Sequence, residues 1–271
     1  MRLQKYIVEN RSVEISQKVA ANILSTYCDR ALSSNYSIFR GNMELNKDFY
    51  IIDASTYTER ESPYASNNFY NLILSNLPNW RNYPKRNKSI IGTTSFRTST
   101  IYSNEEPYLL LPYNGAKIGV CPEPDIWESF ASFEHKENLD CLNKYLSEMF
   151  VNLLDEYPST YKNIESCCNK IDLMMNDKDL GVEYIEDIID NNIIRFFTYT
   201  VEYLGGSKKL IDCISDTLDP EYNGFKLIEI GRGSININNE IWTDSKCLMV
   251  LAKRSVFNSI GIDNEYLEDI V

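Results

Sequence analysis

From Val13 onward the apolar positions recur with helical spacing. Val13, Ile15, Val19, Ala20, Ile23, Leu24 and Cys28 alternate with polar residues and predict a helix over 12–32. Beyond it the pattern shortens into apolar runs of strand length. Tyr36 to Arg40, Tyr50 to Ile52, Ser89 to Ser95, Tyr108 to Pro112 and Ala116 to Val120 each read as a strand. Asn114-Gly115 marks a tight turn between the last two. Phe69 to Leu77 predicts a short helix stopped by Pro78, and residues 79–89 a basic, aromatic loop.

Between about 136 and 218 the spacing is helical again. Leu139, Leu142, Tyr145, Leu146, Met149, Phe150 and Leu153 form one stripe, a weaker one covers 182–204, and Gly205-Gly206 interrupts it. Strand character returns at Phe225 to Ile230, Ser234 to Ile237 and Cys247 to Ala252. Strands at both ends around a helical middle predict an α+β protein whose terminal strands meet in one mixed or antiparallel sheet. The expected organisation is an N-terminal α+β half, 1–130, a helical insert, 131–224, and C-terminal strands completing the sheet, 225–271.

Charge sharpens that division. The chain of 271 residues carries a net charge of -12. Residues 1–130 hold 14 basic and 13 acidic side chains, whereas 131–225 hold 8 and 19. An acidic middle repels a phosphate backbone, so bulk nucleic-acid binding is disfavoured. Seven cysteines without disulfide or metal spacing, no apolar run of membrane length and no signal-like start point to a cytoplasmic protein. A lone histidine, His135, leaves little material for a zinc site or a Ser-His-Asp triad, and P-loop, G-x-G-x-x-G and C-x-x-C motifs are absent.

Three polar signatures remain, each beside a predicted strand. Arg40 closes the run Tyr36-Ser37-Ile38-Phe39 and precedes Gly41, a residue that permits close approach of a ligand or a left-handed backbone. Its guanidinium fork suits phosphate, ribose or amide oxygens. Thr93, Thr94 and Ser95 follow Ile90-Ile91-Gly92 and present hydroxyls at a strand mouth. Glu240 opens Glu240-Ile241-Trp242-Thr243, where a carboxylate can accept from a ribose hydroxyl and stabilise a developing sugar cation. Taken singly, these are a strand-end arginine, turn chemistry and an edge carboxylate.

Their order along the chain resembles the ADP-ribosyltransferase fold of the Arg-Ser-Glu class. An aromatic-Arg-Gly strand comes first, a Ser/Thr-rich strand with a small helix second, and an x-x-Glu turn and strand last. The stretch Tyr83 to Ile91, with Lys117 to Pro122 and Asp125-Ile126-Trp127, is similar in style to phage-encoded proteins of this type. The resemblance implies a split sheet that binds NAD and transfers ADP-ribose to a macromolecular acceptor. A protein acceptor is expected, a nucleic-acid acceptor is an alternative, and the setting is host cytoplasm or virion. It implies that Arg40 orients NAD through its ribose and phosphate, with Gly41 and Thr93 also at the cofactor. Thr94 and Ser95 are then expected to support the nicotinamide ribose and the catalytic glutamate, and Glu240 to be that glutamate, with Arg40, Ser95 and Glu240 as the catalytic set. Tyr102 or Phe96 is the aromatic ring that would pack on nicotinamide; Lys85, Arg86 and Lys88 can hold pyrophosphate, and a solvated basic loop explains them equally well.

The arginine-modifying members carry an acidic residue two positions before the glutamate, where Asn238 stands here. Glu229, beside Gly231 and Gly233, is a rival carboxylate. Arg60-Glu61-Ser62 with Asn67, Asn68 and Tyr70 forms a second polar group, and Asp125 with Trp127 a third, although Asp before a helix is an ordinary N-cap. Two other functions remain open: an NAD glycohydrolase, and a non-enzymatic virion or host-interaction protein that keeps the fold.

Overall fold

A computed structural model describes residues 12–42, 44–56, 69–103, 106–130, 142, 146–176 and 209–263. The chain divides into two compact units, one drawn from residues 1–64, 82–129 and 224–271, the other from 65–81 and 130–223. The segment 65–81 therefore belongs with the helical middle of the chain.

The first unit is a mixed α+β structure on a nine-stranded sheet in which every pairing is antiparallel. Its strands are β1 (Ser12–Glu14), β2 (Phe39–Arg40), β3 (Phe49–Asp53), β4 (Ile90–Thr93), β5 (Tyr108–Pro112), β6 (Lys117–Val120), β7 (Lys226–Glu229), β8 (Glu240–Thr243) and β9 (Lys246–Leu251). They lie in the order β1-β3-β9-β5-β2-β4-β8-β6-β7, so N- and C-terminal strands interleave. Strands β5 and β8 are buried along their whole length and β9 along all but its first residue, as continuous apolar runs predict for strands covered on both faces.

Several predicted elements shift at their ends. The helix expected over 12–32 begins as β1, whose residues pair with β3, and then forms α1 (Gln17–Tyr27) and α2 (Asp29–Leu32), separated at Cys28. Ser16 caps α1, its hydroxyl accepting from the Val19 amide at 3.5 Å. Ser234 to Ile237 is not a strand. Ile237 is 88% exposed, and strand pairing resumes only at Glu240. The remaining helices here are α4 (Phe96–Thr100) and α7 (Arg254–Ile260).

The second unit contains α3 (Phe69–Leu74), which ends before Pro78, α5 (Tyr161–Asn176) and α6 (Leu210–Thr217). Ile164, Cys167, Cys168 and Ile171 form a buried stripe at helical spacing on α5. Asp172 accepts from the Leu210 amide at 3.0 Å, satisfying a donor at the start of α6. Trp80 donates through Nε1 to the Leu218 carbonyl at 2.7 Å, and Phe69 meets Phe150 edge to face at 5.4 Å.

Candidate functional site

The three signature strands are immediate neighbours. β2 pairs with β4 and β4 with β8, with Phe39 opposite Thr93 and Thr93 opposite Glu240. Residues directly opposite in a sheet share a face. Phe39, Thr93 and Glu240 therefore form one row, and Ile91, Trp242 and Gly119 the next.

The pleat sends Arg40 to the other face. There it stands opposite Tyr108 of β5, and its charge acts on the Cys247 thiol. Its guanidinium donates to the Ile91 carbonyl, so Arg40 braces β4 from that face. Nor does Gly41 leave room for a ligand. A Cβ there would stand 2.4 Å from the Ser99 carbonyl and 2.5 Å from Tyr102 Cβ, so the end of α4 occupies the space. Phe96 packs edge to face on Phe39, at 5.3 Å and 90°.

The hydroxyls do local work first. Thr94 Oγ1 donates to the Asn236 carbonyl at 2.9 Å and accepts from the Asn239 amide at 2.9 Å, clipping the turn that delivers Glu240. Ser95 caps α4, accepting from the Thr98 amide at 3.1 Å. Thr93 Oγ1 accepts from the Ser95 amide at 3.1 Å, which leaves its hydroxyl hydrogen to give.

Glu240 is 7% exposed and ion-paired with Arg86, itself 5% exposed. Its other carboxylate oxygen accepts from the Ile126 amide at 3.4 Å. That amide opens a short turn capped by Asp125, which accepts from the Trp127 amide at 3.0 Å. The Cys121 thiol lies 4.0 Å from Glu240, and burial together with the Glu240 charge pushes it well above the ordinary thiol range. Asn239 donates to the Cys121 and Pro122 carbonyls at 2.7 and 3.0 Å, tying the start of β8 to the end of β6.

Trp242, two residues on, shares the Glu240 face. The Arg86 guanidinium sits 5.4 Å from its ring centroid, a cation–π contact. The Trp242 indole donates to the Pro84 carbonyl at 2.8 Å, and Tyr83 stacks on it at 6.0 Å and 17°. Underneath, Gly119 has no room for a side chain, since a Cβ would stand 2.2 Å from the indole.

Of the residues expected at a cofactor site, the fold brings Thr93, Glu240 and Arg86 to one face and places Arg40 on the other. Arg86 meets Glu240 and not an open anion cradle. Glu229 is elsewhere, on the edge strand β7, bridged to Arg30 at 2.8 Å and Arg232 at 3.3 Å. Tyr70 lies in the helical unit, while Arg60, Glu61, Ser62, Asn67, Asn68 and His135 fall outside the described residues. Trp242, Cys121, Asn239 and the Ile126 amide were not singled out from the sequence, because nothing local distinguishes them.

A carboxylate in register with a threonine hydroxyl is a pair of groups whose chemistry suits a ribose hydroxyl and a developing sugar cation. No helix among the described residues is long and apolar enough to cross a membrane. No family model matches the chain, and searches of curated proteins and of solved structures returned no match.

Proposed function

We propose that the protein cleaves NAD and transfers its ADP-ribose to a macromolecular acceptor, most simply a protein. The observation that supports this reading is the placement of the three signatures, spread from Arg40 to Glu240 along the chain, on adjacent strands with Thr93 opposite Glu240. In the reaction the bond between nicotinamide and ribose breaks, and nicotinamide departs with its electron pair. A nucleophile of the acceptor forms the new bond and gives up its proton. Glu240 faces the positive charge that builds on the ribose, and Thr93 donates beside it. Arg40 contributes by holding β4 from the opposite face. With water as acceptor the same site is a glycohydrolase.

NAD labelled on its adenylate, incubated with the protein with and without cell lysate, tests the reading. Nicotinamide release with label on macromolecules is expected. Glu240→Gln should lower that turnover roughly 100-fold or more, the scale of removing one group that stabilises transition-state charge. Release without label on macromolecules selects the glycohydrolase.

A second reading, a non-enzymatic interaction protein that keeps the fold, rests on a different observation. Both Glu240 oxygens already have protein partners and the side chain is almost wholly buried. Absence of release, with wild type and Glu240→Gln indistinguishable, selects it.

A further inference from the structure

The loop 83–86 touches the Glu240 face at two points. Arg86 ion-pairs with Glu240, and Tyr83, Pro84 and Arg86 surround Trp242, which follows Glu240 by two residues on β8. The loop is itself fixed. Tyr83 donates through its hydroxyl to the Phe225 carbonyl at 3.2 Å, and Ser89 donates to the Lys85 carbonyl at 2.6 Å. Gly119 supports the indole from β6.

A surface cation recruited for a phosphate does not require this much support. A buried guanidinium with one side on a carboxylate and its plane near an indole is held in position. Arg86 touches the Glu240 carboxylate and the Trp242 ring, so the charge it serves is the one it already meets.

From this we infer that Arg86 is a positioning residue for Glu240, holding the carboxylate in place and aimed beside Thr93, and not a ligand of the cofactor diphosphate. The inference rests on the proposed NAD chemistry. Its effect is exerted on one carboxylate, whose described titratable neighbours include the Cys121 thiol, 4.0 Å from Glu240, and Asp125, whose charge acts on that thiol. Removing the cation leaves burial and these neighbours to favour the protonated acid.

The test compares wild type, Arg86→Lys and Arg86→Gln by steady-state NAD cleavage, and follows the Glu240 side-chain carboxyl by carbon-13 NMR as pH is varied. Thermal melting confirms folding of each. Arg86→Gln should lower kcat about 100-fold with KM for NAD changed less than about twofold, the pattern of an interaction used in the transition state. Arg86→Lys, which keeps charge but loses the fork, should recover part of that loss. The acid limb of kcat and the Glu240 titration should both move to higher pH in Arg86→Gln.

A KM rise with kcat unchanged would overturn the inference and return Arg86 to the cofactor. An unmoved Glu240 titration would overturn the positioning itself, whatever the kinetics. Wild-type protein without turnover would overturn the NAD reading and with it the catalytic use of Arg86. A shifted titration in that case would show that the pair exists for another purpose.

Discussion

Replacing Gly119 with alanine tests how firmly the Trp242 ring is held. The added Cβ would meet Cζ2, Cε2 and Cη2 of the indole at 2.2, 2.3 and 2.6 Å. Relaxed carbon contacts lie at roughly 3.5–4.0 Å, so ring or strand must retreat by more than about 1 Å. Neither is free to do so. The ring is 1% exposed, its Nε1 donates to Pro84, Tyr83 stacks on it, and Phe225 meets its edge at 6.1 Å. Strand β6 is paired on both sides at this point, with Leu227 and with Trp242. Overpacking costs about 1–3 kcal/mol, and with both partners fixed the upper end applies. For a chain of this size about 3 kcal/mol corresponds to a fall in Tm of roughly 6–12 °C.

Urea unfolding followed by far-UV circular dichroism measures the loss. Trp242→Leu alone should cost roughly 3 kcal/mol or more through lost packing and the lost indole hydrogen bond. Leucine makes room for the new methyl, so the double variant should cost less than the sum by at least about 1 kcal/mol. If Gly119→Ala stays within about 0.5 kcal/mol of wild type and the double variant is additive, the ring is not clamped. The support argued for Arg86 would then fail too.

Stranding one charge of the buried Arg86–Glu240 pair should cost about 3 kcal/mol for either Arg86→Gln or Glu240→Gln, and the double variant less than their sum; additive urea midpoints refute the pairing. Thr94→Val keeps the shape but removes the clip on Asn236 and Asn239, so about 1–2 kcal/mol should be lost and amide exchange should quicken at 236–239. Burial pushes the Cys28 thiol from 9.0 up to about 12, and the Cys121 and Cys247 thiols also rise well above 9.0. Unfolded thiols lose protons from about pH 9 while folded ones retain them. Stability is therefore full below pH 9 and falls between 9 and 12, by up to ~1.4 kcal/mol per pH unit for each thiol. Urea midpoints at pH 8, 9 and 10 check the sign, and a midpoint that rises with pH contradicts it.

The features legible in the chain's own pattern are local ones. Period-2 and continuous apolar runs located β3, β4, β5, β6, β7 and β9 to within a few residues, because strand burial leaves its pattern in the strand's own sequence. Proline at 78 acts on its immediate neighbours, so the end of α3 can be read to within a few residues, whereas the cap that Ser95 places on α4 reads in the sequence as the end of a strand. The charge split marks the acidic middle in the sequence, but nothing in it signals that 65–81 clusters with 130–223. β1 escaped because three residues gain strand form only by pairing with β3, and Ser234 to Ile237 misled because its apolar alternation meets no partner strand.

Which side chains meet was decided by register alone. Shifting one residue along a strand exchanges its faces, so Arg40 stands across the sheet from Glu240 although its neighbour Phe39 shares the Thr93 row. Arg86 and Glu240, 154 residues apart, meet because β4 pairs with β8 and the loop before β4 wraps Trp242. No spacing in the chain encodes that encounter. It follows from strand order and from a glycine small enough to seat the indole, which are properties of the folded sheet and not of any segment within it.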